Sequence, residues 1–301
     1  MKGIVLAGGN GTRLLPLTLV GSKHLAPVYD KPMVYYPLSV LMLAGINDVL
    51  IVTRPAEIEL FRRLFGSGSR LGMRIGYAAQ AEPRGIADGF RVGADHIRGE
   101  DCALVLGDNL FHGAELPALL RSTTQGLRGC VLFGHQVADP RRFGVAEVDA
   151  RGRLLSVEEK PEHPRSHLAI PGLYFFDDTV TDIARGLHPS ARGELEITDV
   201  LRAYLMAGRA HLVRLGSGVT WLDAGTHESL LAAGRFVRDV QHHQGTRLGC
   251  VEEVALRMGF INADACYELG AEMSDSPYGQ YLMASARAHR LSRTPATSPE
   301  E

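Results

Sequence analysis

The sequence is poor in cysteine and has neither a long apolar run nor a block of like charges. Its four cysteines, Cys102, Cys130, Cys250 and Cys266, lie far apart and form no CxxC pair. This spacing argues against a disulfide framework or a zinc knuckle and favours a reducing compartment. The 32 basic and 34 acidic residues nearly cancel, so the composition gives no reason to expect nucleic acid or a membrane surface as a partner.

The sequence also lacks a segment typical of membrane insertion or secretion. The apolar stretch 34–46 is interrupted by Pro37 and is shorter than the ~20 residues that span a bilayer. The N-terminal apolar run ends after about five residues, below the roughly 7–15 of a signal-peptide core. We therefore expect a cytoplasmic protein. A chain of 301 residues can bury roughly 75% of its unfolded surface, in one large or two small domains.

The first half of the sequence alternates short apolar runs with amphipathic stretches of helical length. The apolar runs are 3–7, 48–53, 74–79 and 102–106, and the amphipathic stretches are 32–43, 56–65 and 85–97. This alternation predicts an α/β fold whose mostly parallel sheet is covered on both faces. Pro32 suits the first position of its helix, and Gly45 suits the position just after its end.

After about residue 129 the pattern changes to closely spaced extended segments. These are 130–136, 145–149, 154–158 and 170–176, and they predict a mixed sheet in the second half rather than further βαβ units. Thr198 suits the N-cap of a helix that ends before Gly208, and another helical block follows Gly225. Residues 292–301 are rich in Ser, Thr, Pro and Glu, so we expect them to be disordered.

A glycine-rich loop follows the first apolar run. The segment LAGGNGTR, residues 6–13, places three glycines at a strand exit with a threonine and an arginine directly after them. Glycines there let backbone N–H groups approach phosphate oxygens, and the arginine adds a charged contact. The alternative is a purely structural tight turn. A P-loop is excluded because no Gly-Lys-Ser/Thr follows, and the GxGxxG fingerprint fails because Leu14 replaces its third glycine.

Several motifs together resemble the glucose 1-phosphate thymidylyltransferases. In chain order they are GGNGTR, PVYDKPMVYYPL, LGDNLFHG, FGVAEVD, EEKP, PGLYFFD, SARGELEITDV, WLDAGTHESLL and YGQYL, which span about residues 1–283. The resemblance implies a Rossmann-like nucleotide-diphospho-sugar transferase fold, with a bound Mg²⁺ and a homotetramer built from dimers. It also implies a nucleotidyltransferase core over 1–240, a sugar-binding part at about 130–220 and a helical region over 241–291.

The implied reaction transfers a nucleotidyl group from dTTP to glucose 1-phosphate, giving dTDP-glucose and pyrophosphate. Because the attacking phosphate oxygen is already an anion, the site must align and neutralise charges rather than supply a general base. The resemblance assigns catalytic roles to Arg13, Lys23, Asp108, Lys160 and Asp223, with the two aspartates as Mg²⁺ ligands. Asp108 also follows a predicted strand, which places it at the sheet edge where ligands bind.

The resemblance assigns binding residues as well. Those for the nucleotide are Leu6, Gly8, Gly9, Gly11, Thr12, Arg13, Gln80, Pro83, Gly85 and Asp108. Those for the sugar phosphate are Asn109, Gly144, Glu159, Lys160, Gly172, Tyr174 and Arg192. The Gln80 amide can donate and accept together, which matches the adjacent acceptor and donor of thymine or uracil. Taken without the resemblance, the aspartates also fit turn or cap positions, and EEKP fits a charged surface loop.

Four positions depart from the family pattern and keep alternatives open. His24 replaces Gln, Ala26 replaces a larger apolar residue, Asp88 replaces a neutral polar residue and Pro171 replaces Thr. They leave room for another sugar or cyclitol phosphate, or for UTP or GTP as the triphosphate. A nucleotide-sugar sensor without turnover is a third interpretation. The resemblance also implies feedback inhibition by a dTDP-sugar, for which no residue carries an independent signature.

Overall fold

The computed structural model describes residues 1–293, which form a large mixed sheet with helices packed on both faces. The strands are β1 (Lys2–Ala7), β2 (Pro27–Val28), β3 (Lys31–Pro32), β4 (Asp48–Thr53), β5 (Arg74–Ala79), β6 (Cys102–Leu106), β7 (Asn109–His112), β8 (Cys130–Gln136), β9 (Gly144–Val148), β10 (Leu154–Glu159), β11 (Leu168–Ile170), β12 (Leu173–Phe176), β13 (Ala210–Arg214) and β14 (Thr220–Asp223). The helices are α1 (Tyr35–Leu43), α2 (Ile58–Phe65), α3 (Asp88–Val92), α4 (Ala94–Ile97), α5 (Leu116–Thr124), α6 (Val180–Gly186), α7 (Ile197–Met206), α8 (His227–Gln244), α9 (Val251–Arg257), α10 (Ala263–Ala271) and α11 (Pro277–Arg293).

The sheet joins a parallel half to an antiparallel half. Over the described residues its strand order is β10-β9-β11-β8-β12-β6-β1-β4-β5, with β13 beside β8. Strands β5, β4, β1 and β6 pair in parallel, whereas β12 pairs antiparallel with both β6 and β8. The predicted change from a parallel to a mixed sheet is therefore confirmed.

The extended segment predicted at 170–176 is two strands rather than one. The chain leaves β11 at Ile170, turns at Pro171 with the Leu173 N–H donating to the Pro171 carbonyl (2.8 Å), and enters β12. Gly172 crosses so close to Leu106 that an added Cβ would lie 2.5 Å from its side chain. At this crossing the chain passes from β11, which pairs with β8 and β9, to β12, which pairs with β6. The close contact with Leu106 requires glycine at position 172.

Two predicted helix starts are wrong, whereas the glycine ends are confirmed. Pro32 pairs with Pro27 in a short antiparallel ladder, and α1 begins only at Tyr35. The helix α7 begins at Ile197, before the expected cap residue Thr198, whose buried hydroxyl has no partner. Pro32 cannot open α1 because it lies in the ladder with Pro27, and the extended backbone of Glu196 (φ −77°, ψ 137°) makes that residue, not Thr198, the one before α7. The positions after α1 and α7, Gly45 and Gly208, are left-handed (φ 84° and 68°) as expected for C-terminal glycines.

The core lies in two layers, one on each face of the sheet. Along β1 the fully buried Val5 faces one layer, with Leu41 and Phe133, and the fully buried Ile4 faces the other, with Phe90. A central strand that is buried on both faces has a continuous run of apolar residues. For this reason the sequence predicts a strand at residues 3–7. Helix α9 adds Val251 and Ala255 to the first layer, so the C-terminal helices pack onto the sheet domain.

The predicted domain limits meet the described elements as follows. A boundary at residue 240 falls inside α8, which runs to Gln244. The tail expected at 292–301 lies outside the described residues except for Ser292 and Arg293, which end α11. Within residues 1–293 no helix is both long and apolar enough to cross a membrane.

Phe176 supplies a test of the packing in the second core layer. Its ring is fully buried and meets Phe90 edge to face at 5.1 Å and Tyr204 at 5.6 Å. Phe176→Ala should lower the free energy of unfolding by about 3–5 kcal/mol, because the cavity it leaves is enclosed. Met206→Ala, at a position 89% exposed, is the control and should change it by less than about 0.5 kcal/mol. Urea denaturation measures both, and equal effects would contradict the assigned packing.

Candidate active site

The glycine loop after β1 lies over the edge of the sheet, and its glycines are required by close contacts. Gly11 has a left-handed φ of 61°, and a Cβ there would lie 2.7 Å from the Thr18 methyl. A Cβ on Gly8 would lie 2.7 Å from the Gln80 side-chain oxygen. The exposed Thr12 and Arg13 follow in a single helical turn. The loop thus combines an open backbone with a cation at the carboxyl end of β1, as a phosphate site needs.

A lysine–aspartate ion pair occupies the carboxyl end of β6. Lys23 donates from Nζ to Asp108 Oδ2 over 2.5 Å, and both side chains are largely buried. Burial alone would raise the pKa of Asp108, but the charge of Lys23 together with the hydrogen bonds from Lys23 and Asn109 holds that pKa well below its usual range. Asp108 is therefore a fixed anion beneath the glycine loop.

The second carboxylate, Asp223, is brought alongside by strand pairing. In the β7–β14 ladder Asp223 lies opposite Asn109, and the Ala224 N–H donates to the Asp108 carbonyl over 2.9 Å. Burial, followed by the charge of Asp108, raises the pKa of Asp223. Arg142 lies 3.5 Å from its carboxylate. The two predicted metal ligands therefore meet, and their mutual repulsion is a feature that a divalent cation would relieve.

The pair fits a magnesium ion in donor type and in number. Carboxylate oxygens are the ligands that Mg²⁺ prefers, and this ion usually binds one or two carboxylates and completes its shell with water and substrate phosphates. Within residues 1–293 no group of three or more His, Cys, Asp or Glu side chains is arranged to hold a metal. The arrangement thus matches an ion shared with a phosphate ligand rather than an all-protein cage.

Asn109 is committed to holding this corner together. Its amide oxygen accepts from Trp221 Nε1 (2.6 Å) and from the Gly172 N–H (3.1 Å), while its amide nitrogen donates to Asp108 (3.0 Å). One buried side chain therefore links β7, β14 and the β11–β12 crossing. Its role as a sugar-phosphate contact stays a prediction, because its amide groups bond protein atoms while the residue also lines the cavity.

The predicted sugar-phosphate residues lie on the antiparallel half of the sheet. Glu159 ends β10 with its carboxylate 3.6 Å from Lys160 Nζ and 3.5 Å from Arg192 Nη1. Burial raises the pKa of Glu159, with the neighbouring cations opposing that rise. Lys160 has a positive φ of 43°. This backbone conformation is rare for lysine, and residues held in such rare conformations cluster at functional sites. The exposed Lys160 ammonium thus stands beside a half-buried carboxylate.

A cavity of about 390 Å³ connects the two halves of the site. It is lined by Arg13, Ile86, Leu106, Asp108, Asn109, Arg142, Phe143, Glu159, Lys160, Ile170, Gly172, Tyr174, Ile197, Trp221 and Asp223. Gly144 lies nearby, with its Cβ position 3.7 Å from the Glu159 carboxylate. Arg192 reaches Glu159 but not the cavity wall. The cavity volume is within the range of small-ligand sites, and its wall combines the cations Arg13, Arg142 and Lys160 with the carboxylates Asp108, Asp223 and Glu159.

Arg142 is a charged cavity residue that the sequence analysis did not predict. It directly precedes the FGVAEVD motif, and its guanidinium faces both Asp223 and the Phe143 ring, 5.8 Å away. A signal was present, because an arginine that borders a recognised motif is a candidate for the same site. The apolar wall, with Ile86 and Ile197, had no such signal because these residues come from separate core elements.

The predicted base-binding residues form a separate group behind the glycine loop. Gln80 follows β5, is 5% exposed, and donates from its amide to Asp88 Oδ2 over 2.9 Å. Gly85 has φ 101°, and a Cβ there would lie 2.4 Å from the Leu195 carbonyl oxygen, so only glycine fits at this contact. Leu6 is half-buried at the end of β1 and Pro83 is exposed. The Gln80 amide nitrogen is already engaged, which differs from the expected two-way pairing with a base.

Two departures from the family pattern have structural explanations. His24 is 2% exposed, and its Nδ1 lies 3.1 Å from the Ser22 hydroxyl while its ring packs against Gly107. Burial, together with the charge of Lys23, lowers the pKa of His24 to about 3. His24 is therefore a neutral packing residue. Pro171 forms the turn between β11 and β12, and nothing in the structure explains Ala26.

Comparisons with known proteins agree on one family. The nucleotidyl transferase family model matches residues 2–240. Glucose-1-phosphate thymidylyltransferase of Mycolicibacterium smegmatis is 52% identical over 283 residues, 94% of this chain and 98% of that protein. The Xanthomonas campestris pv. campestris protein of the same name is 51% identical over 286 residues, 95% of this chain and 97% of that protein.

Solved structures give the same result for the fold. A Bacillus anthracis protein described as a glucose-1-phosphate thymidylyltransferase, in complex with sucrose, is 38% identical with a TM-score of 0.73, covering 79% of this chain and 96% of that one. UDP-glucose pyrophosphorylase with UDP-glucose is 25% identical with a TM-score of 0.71, covering 79% and 98%. The predicted nucleotide-diphospho-sugar transferase fold is confirmed.

The buried His24 makes stability depend on pH. Its pKa is about 3 in the fold against 6.5 for the free side chain, so below about pH 6.5 the unfolded chain binds a proton that the folded chain does not. Stability must then fall as pH falls toward 4. The free energy of unfolding of His24→Gln should fall less steeply than that of wild type over this window.

Urea denaturation at pH 7.5, 6.0, 5.0 and 4.5 gives the required slopes. His163→Gln, at an exposed position, is the matched control and should follow wild type. Equal slopes for His24→Gln and wild type would show that a neutral His24 is not a feature of the folded protein.

Proposed function

The chain belongs to the nucleotidyl transferase family, and on that basis we propose that it transfers the thymidylyl group of dTTP to glucose 1-phosphate, releasing pyrophosphate. The observation that carries this proposal is the cavity whose wall holds Arg13, the Asp108–Asp223 pair, Glu159 and Lys160. A triphosphate on the glycine loop and a sugar phosphate beside Lys160 would face each other across it. The proposed enzyme is thus a glucose-1-phosphate thymidylyltransferase.

The reaction needs positioning and charge neutralisation rather than a nucleophile from the protein. An oxygen of the sugar phosphate attacks the α-phosphorus of dTTP, the bond from that phosphorus to the bridging oxygen breaks, and pyrophosphate leaves with the electron pair. Arg13 and Lys23 would hold the triphosphate, and Lys160 would hold the attacking phosphate. These cations screen the repulsion between two anions, which is the main barrier to their approach.

Asp108 and Asp223 would hold Mg²⁺ on the triphosphate side of the cavity. When bound, the ion supplies positive charge to the phosphate oxygens. The role of the protein is to keep both carboxylates ionised and close, through Lys23 on Asp108 and through Arg13 and Arg142 near Asp223. The same cations offset the repulsion between the two carboxylates.

The sugar would bind against the antiparallel half of the sheet. Glu159 would accept hydrogen bonds from sugar hydroxyls, with Gly172 in the cavity wall and Gly144 close to the Glu159 carboxylate. Tyr174 is buried beneath, on β12. We infer that the stretch at about 130–220 is the sugar-binding part of a core that spans 1–240. Arg192 forms ion pairs with Glu159, Glu194 and Glu196. In this arrangement it would influence sugar binding through Glu159 rather than by contacting the sugar phosphate itself.

Other features remain predictions from the resemblance. We infer a homotetramer, a cytoplasmic location and feedback inhibition by a dTDP-sugar on that ground alone. The identities of about half over nearly full length support dTTP and glucose 1-phosphate as the substrates. No observation favours a different sugar phosphate, UTP or GTP, or a sensor without turnover.

The substrate pair is tested by pyrophosphate release with Mg²⁺. Each of dTTP, UTP, GTP, CTP and ATP is paired with glucose 1-phosphate and with a panel of other sugar and cyclitol phosphates. The highest kcat/KM should belong to dTTP with glucose 1-phosphate. UTP can approach this value, because one methyl group in an apolar pocket contributes only ~1 kcal/mol. Preference for another pair would refute the named substrates, and no release with any pair would refute catalysis.

Lys160 is tested by its selective effect on one substrate. Lys160→Met removes the ammonium that would contact the sugar phosphate, so KM for glucose 1-phosphate should rise about tenfold or more while KM for dTTP changes less than about twofold. Steady-state kinetics with each substrate varied in turn measures the split. Arg151→Met, at an exposed turn, is the matched control and should leave both constants unchanged. Equal rises for both substrates would contradict the assignment.

A further inference from the structure

The buried contact between Gln80 and Asp88 bears on how the enzyme selects its base. We propose that Asp88 is a positioning residue for base recognition, because its carboxylate fixes the Gln80 amide with the oxygen turned toward the glycine loop. That orientation selects bases with an N–H at position 3, such as thymine and uracil. The inference rests on the proposed function and assigns a role to a position where this chain departs from its family.

The orientation of the Gln80 amide follows from its neighbours. The amide nitrogen lies 2.9 Å from Asp88 Oδ2 and 3.4 Å from the Gly85 carbonyl oxygen. An ionised carboxylate and a carbonyl can only accept hydrogen bonds. A flipped amide would place its oxygen against two acceptors, losing both bonds and adding repulsion in a buried site. Gln80 and Asp88 are only 5% and 8% exposed, so water cannot readily replace the lost bonds.

The other end of the amide points toward the loop. The Gln80 oxygen lies so close to Gly8 that an added Cβ would be 2.7 Å away, and no donor within the described residues 1–293 hydrogen-bonds it. The flanking backbone is fixed, because the Gln80 N–H donates to the Thr53 carbonyl (2.8 Å) and Gly85 is wedged against Leu195. A free acceptor on a rigid frame is thus presented beside the proposed triphosphate site.

The free acceptor discriminates among pyrimidines by the state of ring nitrogen 3. Thymine and uracil carry a hydrogen there and can donate to the Gln80 oxygen, whereas the same nitrogen in cytosine is an acceptor and would face a second acceptor. A neutral residue at position 88 could both donate and accept, and would leave the amide free to turn. The negative charge of Asp88 removes that freedom.

The test compares dTTP with dCTP in the Asp88→Asn variant. The ratio of kcat/KM for dTTP to that for dCTP, with glucose 1-phosphate saturating, should fall about tenfold. Dissociation constants from calorimetry should shift by a similar factor. The kcat with dTTP should change less than about threefold, because Asp88 contacts no reacting atom. Asp95→Asn on the adjoining α4, where the side chain is 97% exposed, is the matched control and should keep the wild-type ratio.

An exchange of the two groups separates orientation from packing. In Gln80→Glu/Asp88→Asn the asparagine amide can donate to one glutamate oxygen, which leaves the other oxygen to accept from the base. Total charge and the buried hydrogen bond between positions 80 and 88 are retained, whereas the longer bond to the Gly85 carbonyl is lost, so this variant should fold even if Asp88→Asn does not. The negative charge moves from position 88 to position 80, closer to the glycine loop, and should weaken binding of both nucleotides, but the dTTP-to-dCTP ratio should return to within about threefold of wild type.

The outcomes distinguish this inference from the proposed function. If wild type neither binds nor turns over dTTP, the proposed function fails and the inference fails with it. If wild type prefers dTTP but Asp88→Asn retains the wild-type ratio, or the exchanged pair does not restore it, Asp88 only packs against Gln80. In that case the inference is overturned and the proposed function stands.

Discussion

The close approach of two like charges, Asp108 and Asp223, is the constraint on which the rest of the site depends. Carboxylates that meet in a largely buried corner repel each other, and the structure offsets this with cations placed around them. Lys23 pairs with Asp108 directly, while Arg13 and Arg142 stand near Asp223. The cations that balance the two carboxylates are also those that would hold the phosphates. The same positive charges therefore stabilise the site and would attract its substrates.

The fold brings this corner to a cavity by joining two kinds of sheet. The parallel half ends at the glycine loop and at Asp108, and ligand sites at such carboxyl ends are common in α/β proteins. The antiparallel half presents Glu159 and Lys160 from the opposite side. The crossing at Gly172 joins the halves and donates its N–H to Asn109, whose other bonds reach Asp108 and Trp221. Few side chains therefore set the distance between the proposed substrates.

The orientations of the Asn109 and Gln80 side-chain amides are set by neighbours that can only donate or only accept hydrogen bonds. The oxygen of Asn109 receives two donors, and the nitrogen of Gln80 meets two acceptors. A primary amide has no directional preference by itself. Burial then makes the wrong orientation costly, so a neighbour that never touches substrate can decide what the amide recognises. His24 is another residue whose state depends on burial. Burial lowers its pKa and keeps it neutral, so it adds no positive charge beside Lys23.

The sequence by itself determined the elements whose signal is local. The strands at 48–53, 74–79, 102–106 and 130–136 have the bounds that the sequence predicts, because buried strands appear in a sequence as short apolar runs. The glycine loop was also predictable, because its glycines stand together directly after the first strand. The motifs also gave the family and most residues around the cavity. Tertiary structure alone decided the start of α1 after the Pro27–Pro32 pair, the crossing at Gly172, the presence of Arg142 and the orientation of Gln80. The Gly172 crossing depends on Leu106 and Asn109, and the position of Arg142 depends on Asp223, all of them distant in the chain. The Pro27–Pro32 pair and the Gln80–Asp88 contact are close in sequence, but they depend on how the chain turns between the two residues, which a local residue pattern does not specify.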